Sequence, residues 1–174
     1  LQLFRLGTCG SVNPDVEVDN MLVTQNVVGL DGLLHFYQDY EFENEFSKNF
    51  LEKFPYERIK PMLYFSDWAE DISDYYKDAK YHGNTATFPG FYAPQGRQLR
   101  LRALDDKFLE TLNDLGVTNF EMETSAIYGL AKLLGHKALT VNAVIANRRR
   151  GEFSADHHTS EKNMIEWVLE RIIK

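Results

Sequence analysis

Four short stretches hold the side chains whose types and spacing could do chemistry: RLGTCG (5–10), FYAPQGRQLR (91–100), NFEMETSAIYG (119–129) and AVIANRRRG (143–151). In the first, Arg5 supplies a forked, permanently charged donor set and Thr8 a hydroxyl, while Gly7 and Gly10 let backbone amides come close to an anion. Together they could hold a phosphate; a glycine turn beside a surface arginine is the other reading. In the second, Gln95 offers both donor and acceptor and Arg97 a donor fork. Such a pair can read the imide-like edge of a flat heterocycle, with Phe91 or Tyr92 against its face, or can belong to an exposed polar loop. The third contains two carboxylates around one methionine. Like charges that close gain nothing for stability, so Glu121 and Glu123 either cap the following helix or bind something. Carboxylates at a strand end suit vicinal hydroxyls, each oxygen accepting a hydrogen bond. If 118–123 is extended, the two acids face one way and Met122 the other. In the fourth, Arg148 follows an apolar strand directly, which puts its head at a strand end; Arg148–Arg150 can equally form a solvated basic turn.

The elements that must position these groups alternate between strand and helix patterns. Residues 2–6 read as a buried strand running into a tight glycine turn. Residues 21–28 are β-branched and read as a strand. Phe46, Phe50 and Leu51 have helical spacing within 43–53, ahead of Pro55. Residues 66–79 read as a helix capped by Ser66 or Asp67, with an acidic first turn. Residues 84–94 begin as a strand and break into a Pro/Gly loop. Helices over 105–116 and 123–135 end at Gly116 and Gly135. The run ALTVNAVIAN (138–147) reads as a central strand covered on both faces, and EKNMIEWVLERII (161–173) as a closing helix. This alternation predicts an α/β fold of layered type with a mostly parallel or mixed sheet, in which ligands bind at the C-terminal ends of strands.

Composition narrows the class. The chain has 174 residues, 44% of them hydrophobic, enough for one sizeable core. A net charge of −7 argues against a protein that coats nucleic acid. The single cysteine, Cys9, excludes an intramolecular disulfide and fits a reducing compartment. No apolar run reaches the roughly 18–20 residues of a membrane span. His157 and His158 are adjacent, and no Cys/His/Asp set has metal-ligand spacing; Ser125 lacks a nucleophile motif. A soluble, cytoplasmic domain is expected. The chain opens on LQLFRLGTCG without an initiator methionine, which reads as a fold already under way and suggests a missing N-terminal part.

RLGTCG, FYAPQGR, NFEMET and AVIANR, in that order, resemble the nucleoside phosphorylases of the trimeric/hexameric class, and among them the uridine phosphorylases. The likeness includes VNPDVEVDNMLVT and LDGLLHFY and runs over nearly all 174 residues. The E-M-E triplet resembles the whole class; the Q-x-R loop and the late arginine resemble the uracil-reading residues of the uridine branch, where purine-specific relatives usually have an aspartate at the late position. The resemblance implies a three-layer α/β/α sandwich around a mixed central sheet, forming one domain (1–174), the C-terminal two-thirds of a longer chain. It also implies roles. Arg5 and Thr8 would bind phosphate, with Thr8 near the ribose. Cys9 stands where the family often has threonine or serine near the base; Gly10 would lie under the base and Phe91 flank it. Gln95 and Arg97 would hydrogen-bond O2, N3 and O4 of uracil, with Arg148 aiding at O4. Phe120, Glu121, Met122 and Glu123 would form the nucleoside wall, Met122 packing on the sugar and Glu123 taking its 2′ and 3′ hydroxyls.

The implied activity is reversible phosphorolysis of uridine to uracil and ribose 1-phosphate, a pentosyltransferase reaction in pyrimidine salvage, with Arg5, Thr8, Glu123 and Arg148 as its catalytic groups. No protein nucleophile, metal or cofactor is required, phosphate being a co-substrate. Neither nucleic acid nor membrane is expected as a partner; a homo-oligomer is, as a dimer assembling to a hexamer. The family's glycine-rich phosphate loop with its arginine, and residues lent by a neighbouring subunit, precede the point where this chain starts, so the 174 residues alone are expected to turn over little or nothing. The alternatives are a purine nucleoside phosphorylase, a nucleosidase, or an inactive nucleoside-binding fragment. The aromatic-rich stretch 36–81 could cover the core or form an interface.

Overall fold

The computed structural model describes residues 1–38, 40–105 and 107–172. Its elements are β1 (Gln2–Ser11), β2 (Met21–Gly29), α1 (Glu45–Lys53), β3 (Tyr64–Asp67), α2 (Glu70–Ser73), β4 (Tyr81–Thr87), α3 (Phe108–Asp114), β5 (Val117–Glu121), α4 (Thr124–Leu133), β6 (Lys137–Asn147), β7 (Glu152–Phe153) and α5 (His157–Ile172). The strands form one mixed sheet in the order β3-β2-β4-β5-β1-β6-β7. A further antiparallel pairing of Met21–Val23 with Val141–Ala143 joins β2 to β6. Strands β2, β4, β5, β1 and β6 therefore close into a ring, which no local sequence pattern announces.

β6 shows why helices cover both sides. Ala138 packs with Val27, Tyr128 and Ala131 against α4. The alternate residues Leu139, Val141 and Ala143 pack with Met164 and Val168 of α5, together with Ile72 and Tyr76. Successive side chains of a strand point to opposite faces, so α4 and α5 lie on opposite sides of the sheet. A third cluster packs Phe50 and Phe54 against Phe65, Phe88, Phe108 and Phe120. Much of the aromatic stretch 36–81 is thus core, whereas Phe36, Tyr37 and Tyr75 remain exposed. α1 lies within the expected 43–53 but begins at Glu45, fixed by a reciprocal capping box between Asn44 and Ser47.

Three sequence expectations change. The glycine-flanked stretch after Leu6 is not a tight turn: β1 runs on through it, pairing in parallel with β6 from Gln2↔Lys137 to Ser11↔Asn147, with an irregularity between Cys9 and Gly10. The glycines serve close approach instead, since a Cβ on Gly7 would lie 2.7 Å from Arg5 Nη1 and one on Gly10 2.6 Å from Phe120 Cζ. The helix expected over 66–79 gives up Ser66 and Asp67 to β3, which pairs antiparallel with β2 at the sheet edge; only Glu70–Ser73 is α-helical, followed by a 3-10 turn at Asp74–Tyr76. Helix α3 begins at Phe108, later than the 105–116 pattern suggests. Asp106 of that pattern and Ile173 of the closing helix lie outside the described residues. Gly116 and Gly135 end their helices at φ 89° and 67°, the left-handed backbone that glycine adopts without penalty. Among the described residues, no helix is long and apolar enough to cross a membrane.

Candidate active site

All twelve residues singled out above line one cavity of about 490 Å³. They come from the middle and end of β1 (Arg5, Thr8, Cys9, Gly10), the end of β5 and entry to α4 (Phe120, Glu121, Met122, Glu123), the loop after β4 (Phe91, Gln95, Arg97), and the residue after β6 (Arg148). Ile145, Ala146 and Phe153 complete the wall. These three were missed: Ile145 and Ala146 look like any apolar strand residues, and β7 is too short to leave a periodic signal.

The two glutamates have different jobs. Glu121 is buried at the last position of β5. One of its oxygens accepts from Thr87 Oγ1 at 2.7 Å, the other from the backbone N–H groups of Glu123 (2.9 Å) and Thr124 (2.8 Å). It caps the first turn of α4, where the helix dipole favours an anion. Glu123 has a side chain 57% exposed and lies free at the cavity wall except for Arg5. Both carboxylates face the Arg5 guanidinium, whose Nη2 is 3.1 Å from Glu121 and 2.5 Å from Glu123. Met122, between them, is 39% exposed. The two readings of the triplet therefore divide: Glu121 is the helix cap and Glu123 the available acceptor.

The polar groups that the loop after β4 and Arg148 bring to the cavity wall are largely unpartnered. Gln95 is 2% exposed in a 3-10 turn ended by Gly96 at φ 71°. The next residue, Arg97, lays its guanidinium over the Phe91 ring, 4.1 Å from the centroid. Tyr92 packs edge-on to Phe91 and does not reach the cavity wall. Arg148 is aimed by Asn147, whose Oδ1 accepts from the backbone N–H groups of Arg149 and Arg150 and whose Nδ2 donates to the carbonyls of Asn13 and Val16. The basic run then splits. Arg149 pairs with Glu110 at 3.0 Å and Arg150 with Glu152 at 2.8 Å, while Arg148 turns inward. Burial and the Arg97 charge beside it hold Arg148 below its usual pKa. Among the described residues, Gln95 Oε1, Arg97 Nε and Arg148 Nη1 are buried without a hydrogen-bond partner.

Cys9 sits beside the Asn119 side chain, and burial pushes its thiol up to about 12. Ser125 is buried and bonded to the Tyr64 hydroxyl at 2.7 Å, outside the cavity wall. His157, His158 and Glu161 do bring ligand-type atoms within 4.8 Å of one another, at the start of α5. They share no residue with the cavity.

A model of the Phosphorylase superfamily matches residues 1–174, the entire chain. The chain belongs to the phosphorylase superfamily. Within that superfamily it is 30% identical over 154 residues to a uridine phosphorylase of Thermococcus kodakarensis, the match covering 86% of this chain and 50% of the relative. It is 27% identical over 174 residues to a DeoD-type purine nucleoside phosphorylase of Colwellia psychrerythraea, covering 99% of this chain and 64% of the relative. The structure matches that of a Trypanosoma brucei nucleoside phosphorylase described as showing uridine phosphorylase activity, with a TM-score of 0.87 and 26% identity over 99% of this chain and 63% of that one. This is the nucleoside phosphorylase fold. The chain spans about half to two-thirds of the length of these relatives.

Proposed function

We propose that this chain forms the nucleoside site of a uridine phosphorylase, which converts uridine and phosphate to uracil and ribose 1-phosphate. The observation that carries this reading is the set of three buried, unpartnered polar atoms of residues lining the cavity: the acceptor Gln95 Oε1 with the donors Arg97 Nε and Arg148 Nη1. Burying polar atoms without partners costs about 1–3 kcal/mol each. The edge of uracil complements them, with an N3–H donor between two carbonyl acceptors. Two guanidinium groups at the cavity wall would also repel a ring that presents donors to them.

The chemistry follows from the charges. As C1′–N1 breaks, its electron pair moves onto the base and is delocalised to O2 and O4, where Arg97 and Arg148 donate. The positive charge that develops on the ribosyl ring lies near Glu123, which also accepts from the sugar hydroxyls. A phosphate oxygen bonds to C1′, and the proton of hydrogenphosphate passes to the base. Holding both reactants in one cavity supplies proximity. Arg5 and Thr8 would face phosphate, although Arg5 stands between two carboxylates. That trio carries net negative charge, so anion binding calls for further cations beyond it. The family's multi-subunit assembly and a cytoplasmic setting belong to the same reading.

Calorimetry on the chain with uracil, uridine and inosine tests the nucleoside site: uracil and uridine are expected to bind and inosine at least tenfold more weakly. Uracil release from uridine, with and without phosphate, is measured on the longest native polypeptide that contains the chain. Release without phosphate, or a preference for inosine, overturns the proposal.

A further inference from the structure

One residue from each of the five strands in the closed ring joins a buried polar relay that the proposed chemistry does not use. Asn142 of β6 accepts from Arg5 Nη1 at 2.6 Å. Its Nδ2 donates to Thr24 Oγ1 of β2 at 3.3 Å. Thr24 Oγ1 lies 2.7 Å from Thr85 Oγ1 of β4, and Thr85 donates to Asn119 Oδ1 of β5 at 2.9 Å. Asn119 stands beside the thiol of Cys9, back on β1. Asn142, Thr24, Thr85 and Asn119 are all fully buried.

The sense of the relay is fixed at one end. Arginine has no acceptor, so the Asn142 oxygen must face Arg5 and its amide nitrogen must face Thr24. Thr24, accepting there, donates to Thr85, which in turn donates to Asn119. Flipping Asn142 would set its amide donors against those of Arg5 and break the bonds on both sides of it, leaving buried groups unpaired. Asn142 also interrupts an apolar strand, a position where an aliphatic residue would pack without needing partners.

We propose that Asn142 is a positioning residue: through this one-way relay it fixes the Arg5 guanidinium, and Arg5 fixes the otherwise exposed Glu123 carboxylate for the ribose hydroxyls. The inference rests on the nucleoside reading of the cavity. Asn142 touches no substrate; its effect passes through Arg5.

The test uses Asn142→Ala, Asn142→Asp and Thr24→Val, each checked by circular dichroism for the wild-type fold. Uridine and uracil titrations are combined with side-chain 15N–1H spectra of the arginines. Asn142→Ala is expected to weaken uridine roughly tenfold while changing uracil less than twofold, since only the ribose end is loosened. Its Arg5 Nη1 signals should lose the protection expected from the Asn142 bond, while Nη2 stays held by Glu121 and Glu123. Asn142→Asp keeps the acceptor for Arg5 but loses the donor to Thr24, so uridine binding should recover relative to Asn142→Ala only as far as in Thr24→Val. Thr24→Val, nearly the same shape, should weaken uridine in the same selective way but less, and serves if Asn142→Ala fails to fold. Equal loss of uridine and uracil, or unchanged Arg5 signals in Asn142→Ala, overturns the relay. Wild-type protein that binds neither ligand overturns the nucleoside reading instead, and the Arg5 spectra still decide the relay.

Discussion

Truncating the two glutamates of the E-M-E triplet should have opposite consequences. Glu121→Ala removes an acceptor for three hydrogen bonds, at 2.7, 2.8 and 2.9 Å, and a guanidinium partner at 3.1 Å, from a side chain only 2% exposed. Breaking a buried, hydrogen-bonded ion pair by deleting one partner costs about 3–5 kcal/mol. With about 2–4 °C of melting temperature per kcal/mol in a chain this size, the melting point should fall by roughly 6–20 °C. Glu123→Ala removes one partner of Arg5 from a side chain 57% exposed. Exposed pairs contribute at most about 1 kcal/mol, so the fold should lose less than about 4 °C. Uridine affinity should behave the other way, falling more than tenfold in Glu123→Ala with uracil unchanged. Thermal melts followed by circular dichroism, paired with the two titrations, read both effects on the same samples. If Glu121→Ala melts within 2 °C of wild type, or Glu123→Ala binds uridine normally, the division of labour between the two carboxylates is wrong.

Other outcomes follow from the same geometry. Gly7→Ala would push a methyl group into the Arg5 guanidinium, costing about 1–3 kcal/mol and weakening uridine at least tenfold, which melting and calorimetry would register. Arg148→Gln should weaken uracil by roughly tenfold or more while leaving the melting temperature equal or higher, because a half-buried like charge beside Arg97 is removed. The Cys9 thiol is raised by burial from 9.0 to about 12, so its stabilising contribution is complete below pH 9 and is lost as pH climbs toward 12. Over that window the wild-type melting temperature should drop more steeply than that of Cys9→Ala; parallel curves would argue against a buried thiol.

The layered α/β class was legible because the strands and helices that define it are long and periodic. ALTVNAVIAN reads as a covered strand, and Gly116 and Gly135 mark where helices stop. What escaped was whatever depends on partners far away in the chain. Ser66 and Asp67 look like a helix cap until β2 is available to pair with them. Gly7 and Gly10 look like a turn until a guanidinium and a phenyl ring are seen lying on them. Arg148 could not be separated from Arg149 and Arg150 by composition, because only Asn147 and the acids at 110 and 152 sort them. The Arg5 side chain could not be seen flanked by two carboxylates from sequence spacing alone. Of the relay, Asn142 is marked only by interrupting an apolar run, and Thr24, Thr85 and Asn119 sit next to other polar residues in their strands, so spacing does not single them out.

The parallel pairing of β1 with β6 matches Gln2 with Lys137 and Ser11 with Asn147. Made on a ribosome at about 5–20 residues per second, the first strand waits roughly 7–27 seconds for its partner to be synthesised. Throughout that interval Leu3, Phe4 and Leu6 belong to a strand without β6 beside it, and Arg5 has no Asn142 to accept from it. Completion of the cavity therefore waits on the synthesis of β6, and until then β1 is a segment for which a chaperone would have something to do.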